Sequence, residues 1–175
     1  MREVVQQRGS ALLLALILLL VLSLLAISGM EGSLMQQRMS TAQREGVMAL
    51  EIAESGAHDA EEWVEDNVVT LADFDGNGGL YDATQGGQGA PDPYDADIWE
   101  DDSSQTRAAD AVDGTTPRYF IEYVGQGFSS EDLSDGNIGG YGSDPDMQAF
   151  RIVVRAEGPS GRSRRIIEVF YKKQI

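Results

Sequence analysis

No charged residue occurs between Arg8 and Glu31. Most of the 21 positions in residues 10–30 are Leu, Ala, Ile or Val. At about 1.5 Å of rise per residue, such a run extends roughly 30 Å as a helix, the thickness of a bilayer's hydrocarbon core. A cleavable secretory signal has a shorter apolar core, about 7 to 15 residues, ending at a small-residue cleavage site. Here the apolar run is longer and passes into helical sequence without Pro or a turn signal, so a retained membrane helix is expected.

Charge is distributed unevenly over the 175 residues, whose formal net charge is −16. Residues 73–117 hold 11 carboxylates and one Arg, whereas residues 151–175 hold seven basic and two acidic side chains. The net charge opposes phosphate backbones and makes nucleic acid a poor partner. The acidic middle and basic end could attract each other within the domain or between subunits, although exposed pairs contribute only about 0–1 kcal/mol. There is no Cys and one His, His58. Thiolate zinc sites, disulfides and Cys nucleophiles are thereby excluded, together with most His-based catalytic sites. Paired Asp residues as acid and base would need a substrate cleft. No enzyme is expected.

Beyond residue 30 the apolar pattern becomes one-sided. Met35, Met39, Ala42, Gly46, Ala49, Ala53, Gly56, Ala60 and Trp63 follow at alternating steps of four and three, the seam of an amphipathic helix that could run to Asn67. Its small residues let another backbone come close, either a sheet of the same chain or partner helices. Gly29 and Gly32 are expected points of bending.

Residues 73–117 read as an acidic loop. Asp73-Phe74-Asp75-Gly76-Asn77-Gly78 matches the first half of a calcium loop, with oxygen ligands at alternate positions and Gly at the sixth, but Thr84 stands where an EF-hand needs a bidentate Glu. A complete EF-hand is excluded. A looser calcium site of Asp73, Asp75, Asn77 and Asp82 remains, to which Asp92, Asp95, Asp97, Asp101 or Asp102 could fold back; the competing reading is a bare Asp/Gly turn. Tyr81, Tyr94 and Trp99 are expected to supply apolar contacts to this polar stretch. No cofactor is required, and calcium is the candidate ion.

Residues 118–124, 150–156 and 165–171 read as strands, with a turn at 157–161 making a hairpin of the last two and a Gly-rich insertion at 125–145. Tyr119, Ile121 and Tyr123, or Ile152 and Val154, share a face suited to the small-residue seam. The fold class is therefore α+β, a long N-terminal helix packed on a C-terminal antiparallel sheet with a long acidic loop insertion.

Gln6-Gln7-Arg8-Gly9-Ser10, read with the apolar residues after it, resembles the leader of type IV prepilins. Ala49-Leu50-Glu51-Ile52-Ala53-Glu54 with Asp59-Ala60-Glu61, Gly79-Leu80-Tyr81-Asp82-Ala83 followed by Trp99, the strand Arg118-Tyr119-Phe120-Ile121-Glu122-Tyr123, and the closing Tyr171-Lys172-Lys173 resemble minor pilins of the PilX type. The resemblance implies a type IV pilin-like fold divided into a leader (1–9), a transmembrane helix (10–30), its amphipathic continuation (31–67) and a globular head (68–175). It implies cleavage after Gly9 by a prepilin peptidase, with methylation of the new amine of Ser10. Most pilins carry Glu at the fifth mature position, where this chain has Leu14. In pilins that Glu meets the amine of the subunit above, so Leu14 suits the top of a filament.

The implied function is non-enzymatic: a minor pilin that primes pilus assembly and sits at or near the tip. The implied partners are other minor pilins, the major pilin, the inner-membrane assembly platform and a PilY-type tip adhesin. The implied location is the inner membrane, with the head in the periplasm, and then the pilus tip outside the cell. The tip pseudopilin of a type II secretion system, related to the GspK type, is the alternative within the class. A membrane-anchored sensor using the acidic loop as a ligand site is the alternative outside it.

Overall fold

The computed structural model describes residues 8–84, 89–128 and 143–175. Residues 1–7 of the expected leader, 85–88 of the acidic segment and 129–142 of the Gly-rich segment lie outside them. Helix α1 spans Arg8–Asn67, and the contacts of the chain divide between Gln43 and Arg44. In the first unit the described side chains from Ser10 onward are exposed.

In the second unit the helix buries Gly46, Ala49, Ala53, Gly56 and Ala60, the expected seam, joined by Ile52, Ala57 and Val64. Small side chains are needed here because the sheet lies close. A Cβ on Gly56 would stand 2.9 Å from Pro117 Cβ and 3.0 Å from Val154 Cγ1. Met35, Met39 and Ala42, earlier on the same stripe, are exposed.

The strands are β1 Leu80–Asp82, β2 Arg107–Ala108, β3 Arg118–Phe128, β4 Ser143–Glu157 and β5 Arg164–Gln174. Sheet order is β1-β3-β4-β5, with β2 pairing β3. The antiparallel core β3-β4-β5 is the expected one, including the β4–β5 hairpin. Two short strands enlarge it to five, and because β1 runs parallel to β3 the sheet is mixed. β3 and β4 also run into the two ends of the segment read as a Gly-rich insertion. Register shifts after Tyr123 and Gln126 absorb the glycines there.

The helix-facing side of the sheet presents Tyr119, Ile121, Tyr123, Phe150, Ile152 and Val154 to Ala57, Ala60 and Val64, with Phe74 and Leu80 closing the cluster. Phe74 and Phe150 rings lie 5.4 Å apart. A second, smaller core covers the opposite face, where Tyr81, Ile98 and Trp99 pack on Phe120 and Val153. The segment read as loop is thus a lid over the back of the sheet, carrying β1, β2 and the 3-10 turns Leu71–Asp73 and Asp97–Trp99 at and within its bounds. Tyr81 and Trp99 are buried as expected, whereas Tyr94 is exposed.

The helix ends in contacts from the last strand. Lys173 Nζ donates to Val64 O at 3.0 Å and to Glu65 O, supplying the positive charge that the final turn of the helix lacks. Tyr171 donates its hydroxyl to Glu65 Oε2 at 2.9 Å. At the start of the packed portion, Ser160 in the hairpin turn donates to Glu45 Oε2 at 2.6 Å.

Candidate functional site

The first unit is where sequence and structure most require something outside the chain. Leu12, Leu13, Leu14, Leu16, Ile17, Leu18 and their successors to Ile27 are exposed all round the helix. None of this apolar stretch is buried. Surface of this extent is not held in water, and a helix satisfies its backbone internally when lipid replaces water. Ser23, a polar side chain within the run, donates its hydroxyl to Leu19 O at 2.7 Å, which meets its hydrogen-bonding need inside the helix. The segment fits a membrane anchor.

Gly9 and Ser10 lie in the first turn of this helix, directly after Arg8. Leu14 is exposed on it among other leucines. A carboxylate at that position would stand in hydrocarbon without an intrachain basic neighbour, since no charge falls between Arg8 and Glu31.

The four residues considered for calcium are placed one by one rather than as a cage. Asp73 ends the first 3-10 turn. Asp75 Oδ1 accepts from Asn77 N at 3.0 Å, and Gly76 N donates to Leu80 O at 2.9 Å. Gly76, Gly78 and Gly79 all have positive φ, so the loop is an Asx-type turn of the kind these residues form unaided. Asp82 is buried on β1, its Oδ1 accepting from Thr84 N at 2.8 Å and Thr84 Oγ1 at 2.6 Å. Among the described residues no group of three or more Asp, Glu, His or Cys side chains could hold a metal ion. Asp73, Asp75 and Asp82 form no such group, and calcium at this loop rests on the sequence pattern alone.

The basic end meets acidic partners across the sheet. Arg151 Nε lies 2.8 Å from Glu122 Oε2, a charge contact rather than an aligned hydrogen bond, and its Nη1 lies 3.5 Å from Glu168. Glu157 Oε1 takes both Arg155 Nη2 at 2.9 Å and Arg164 Nε at 3.2 Å. Arg107 stacks 4.2 Å from the centre of the Trp63 ring, tying β2 to the helix.

Burial raises the phenol pKa of Tyr81, Tyr119 and Tyr123 above 10.0, with Asp82 adding to the shift at Tyr123. For Tyr119, Arg107 opposes the burial effect. Tyr171 is raised chiefly by the hydrogen bond it gives Glu65.

Sequence reasoning missed β1, β2 and the buried Arg118, which is 9 % exposed. Its residue type argued for a surface. A signal was available in Thr106, a small hydroxyl residue in the acidic stretch, but its long-range partnership with Arg118 cannot be read from spacing.

The description "PilX N-terminal" fits residues 8–57, and "Type IV pilus assembly protein PilX C-term" fits residues 40–173. Together they span the apolar helix, its packed continuation, the lid and the sheet. The chain belongs to the PilX family. No curated protein and no solved structure matches it significantly. Membership gives the apolar helix its context: a PilX chain is a type IV pilus assembly protein, a structural class that interacts with other components of the pilus.

Proposed function

We infer that this PilX-family chain is a minor pilin that primes type IV pilus assembly from the inner membrane and occupies the tip in company with other minor pilins. The observation that carries this reading is Leu14 on an apolar helix beginning next to Arg8-Gly9-Ser10. Cleavage after Gly9 leaves Ser10 as the terminal amine. A subunit within the shaft must place a carboxylate against the amine of the subunit above, whereas the top subunit has only to offer its own amine to the Glu beneath. Leu14 costs nothing at the top. Lower down it would leave an amine unpaired in hydrocarbon, a penalty of several kcal/mol.

On this reading the head faces the periplasm before assembly and is carried outside afterwards. Its partners are the prepilin peptidase, the assembly platform, the major pilin, other minor pilins and a PilY-type adhesin at the tip. The two PilX matches favour the pilus over a type II secretion tip, and the small-residue helix favours a subunit over a sensor.

Immunogold labelling of sheared pili tests the placement. Label confined to filament ends, with strong loss of piliation in a deletion strain, is expected; label spread evenly along the shaft would contradict it.

A further inference from the structure

Arg118 and Arg155 are directly opposed on β3 and β4. Like charges in register repel across an antiparallel pair, and both side chains line a cavity of about 310 Å³ with Trp99, Glu100, Thr115 and Thr116. The cavity lies over the back of the sheet, where the lid ends. It belongs neither to the membrane helix nor to the helix seam.

The two guanidinium groups are held differently. Arg118 donates from Nε to Thr106 Oγ1 at 2.9 Å, and from Nη2 to Thr106 O at 3.0 Å and Ser103 O at 3.2 Å. Those bonds fix its plane and occupy one side of the fork. Among the described residues its Nη1 has only Asp101 Oδ1 at 3.7 Å, beyond hydrogen-bond length, and the Asp101 side chain is fully exposed. Arg155 is kept by Glu157 through Nη2 at 2.9 Å. Its Cζ stands 6.0 Å from the Trp99 ring centre. Trp99 is itself anchored, its indole N–H donating to Pro93 O at 3.0 Å.

We propose that this cavity binds a small hydroxylated carboxylate of the uronic acid class, its carboxylate seated between Arg118 Nη1 and Arg155. An anion there converts the repulsion of the cross-strand pair into attraction, and a planar carboxylate matches the fork of a guanidinium. The cavity's own acids set the charge of the ligand. Glu100, Asp101 and Glu157 stand around the two arginines, so each further negative charge on a ligand meets added repulsion, and a monoanion seated at the guanidinium groups is favoured over a dianion such as hydrogen phosphate. Thr115, Thr116 and Glu100 provide partners for hydroxyl groups beside the carboxylate. A volume near 310 Å³ is at the small end of ligand sites. Asp101 is a competitor for Nη1, and the ligand displaces it. The site does not depend on the chain's place in a filament.

Isothermal titration of the full chain in detergent, with sodium glucuronate, glucose and inorganic phosphate as probes, tests this. Saturable one-to-one binding of glucuronate is expected, with no binding of glucose and phosphate weaker by about tenfold or more. Arg155→Gln should weaken glucuronate by about tenfold while leaving the far-ultraviolet dichroism unchanged. Asp101→Asn should tighten it, an effect that a purely structural role for Arg118 would not produce. Absence of saturable glucuronate binding, phosphate binding as tightly, or an Asp101→Asn chain that binds less well would each overturn the proposal.

Discussion

Gly46 and Gly56 stand on the same stripe of α1 and are both buried, yet they differ in what surrounds them. A Cβ at Gly46 meets the far end of the Arg165 side chain, which can move aside; one at Gly56 meets Pro117 and Val154, which cannot. Alanine adds about 1 kcal/mol of helix propensity at either position, while overpacking a fixed contact costs about 1–3 kcal/mol. Gly46→Ala should therefore be neutral or stabilising, and Gly56→Ala should lower stability by about 1 kcal/mol or more, read from chemical denaturation of the full chain in detergent. A larger loss at Gly46 would mean that the close approach lies elsewhere. The sequence showed that the stripe was made of small residues. It could not show which of them touched backbone-fixed atoms, because that depends on Pro117 and Val154 arriving from distant parts of the chain.

Among the elements, the long helix and the three long strands were legible because each repeats one period over many residues. The seam steps by four and three, and β5 alternates half-buried and exposed side chains from Ile166 onward. β1 and β2 were not legible, since three and two residues are too few to display a period. What makes them strands is the ladder that β3 offers, with Leu80, Tyr81 and Asp82 pairing with Ile121, Glu122 and Tyr123. The acidic segment misled for a related reason. Its carboxylates dominate the composition, but the fold uses its few apolar residues, Tyr81, Ile98 and Trp99, as the back of the core. The helix end gives a test at this scale. Lys173→Met keeps the aliphatic stem and removes the charge from Val64 O and Glu65 O, so stability should fall by about 1 kcal/mol and amides of the last turn should exchange faster. Unchanged exchange there would show that Lys173 does not cap the helix.

For the whole molecule, alkaline pH probes the head at once. Tyr81, Tyr119, Tyr123 and Tyr171 all have phenols raised above 10.0 in the fold. A group that holds its proton more tightly when folded stabilises the fold below its unfolded pKa and loses that contribution as pH rises through the folded value. Melting temperature should thus fall above about pH 10, and Tyr171→Phe should lessen the fall by removing one of the four groups. A melting temperature independent of pH in that range would contradict the burial of these phenols.

At this same scale the family was legible from four separated blocks of sequence, and the PilX matches over residues 8–57 and 40–173 cover them all. The calcium motif was ambiguous as sequence, because its residue types serve an Asx turn equally well; the structure shows the turn at Asp75 and Asn77, with Asp82 apart from it on β1. The central claim, that the chain is a processed pilin subunit, is tested most directly by mass spectrometry of its N-terminal peptide from cells that contain the prepilin peptidase. A chain beginning at a methylated Ser10 is the expected result. A chain that retains Gly9 and the residues before it would contradict the account and favour a membrane-anchored protein that never enters a filament.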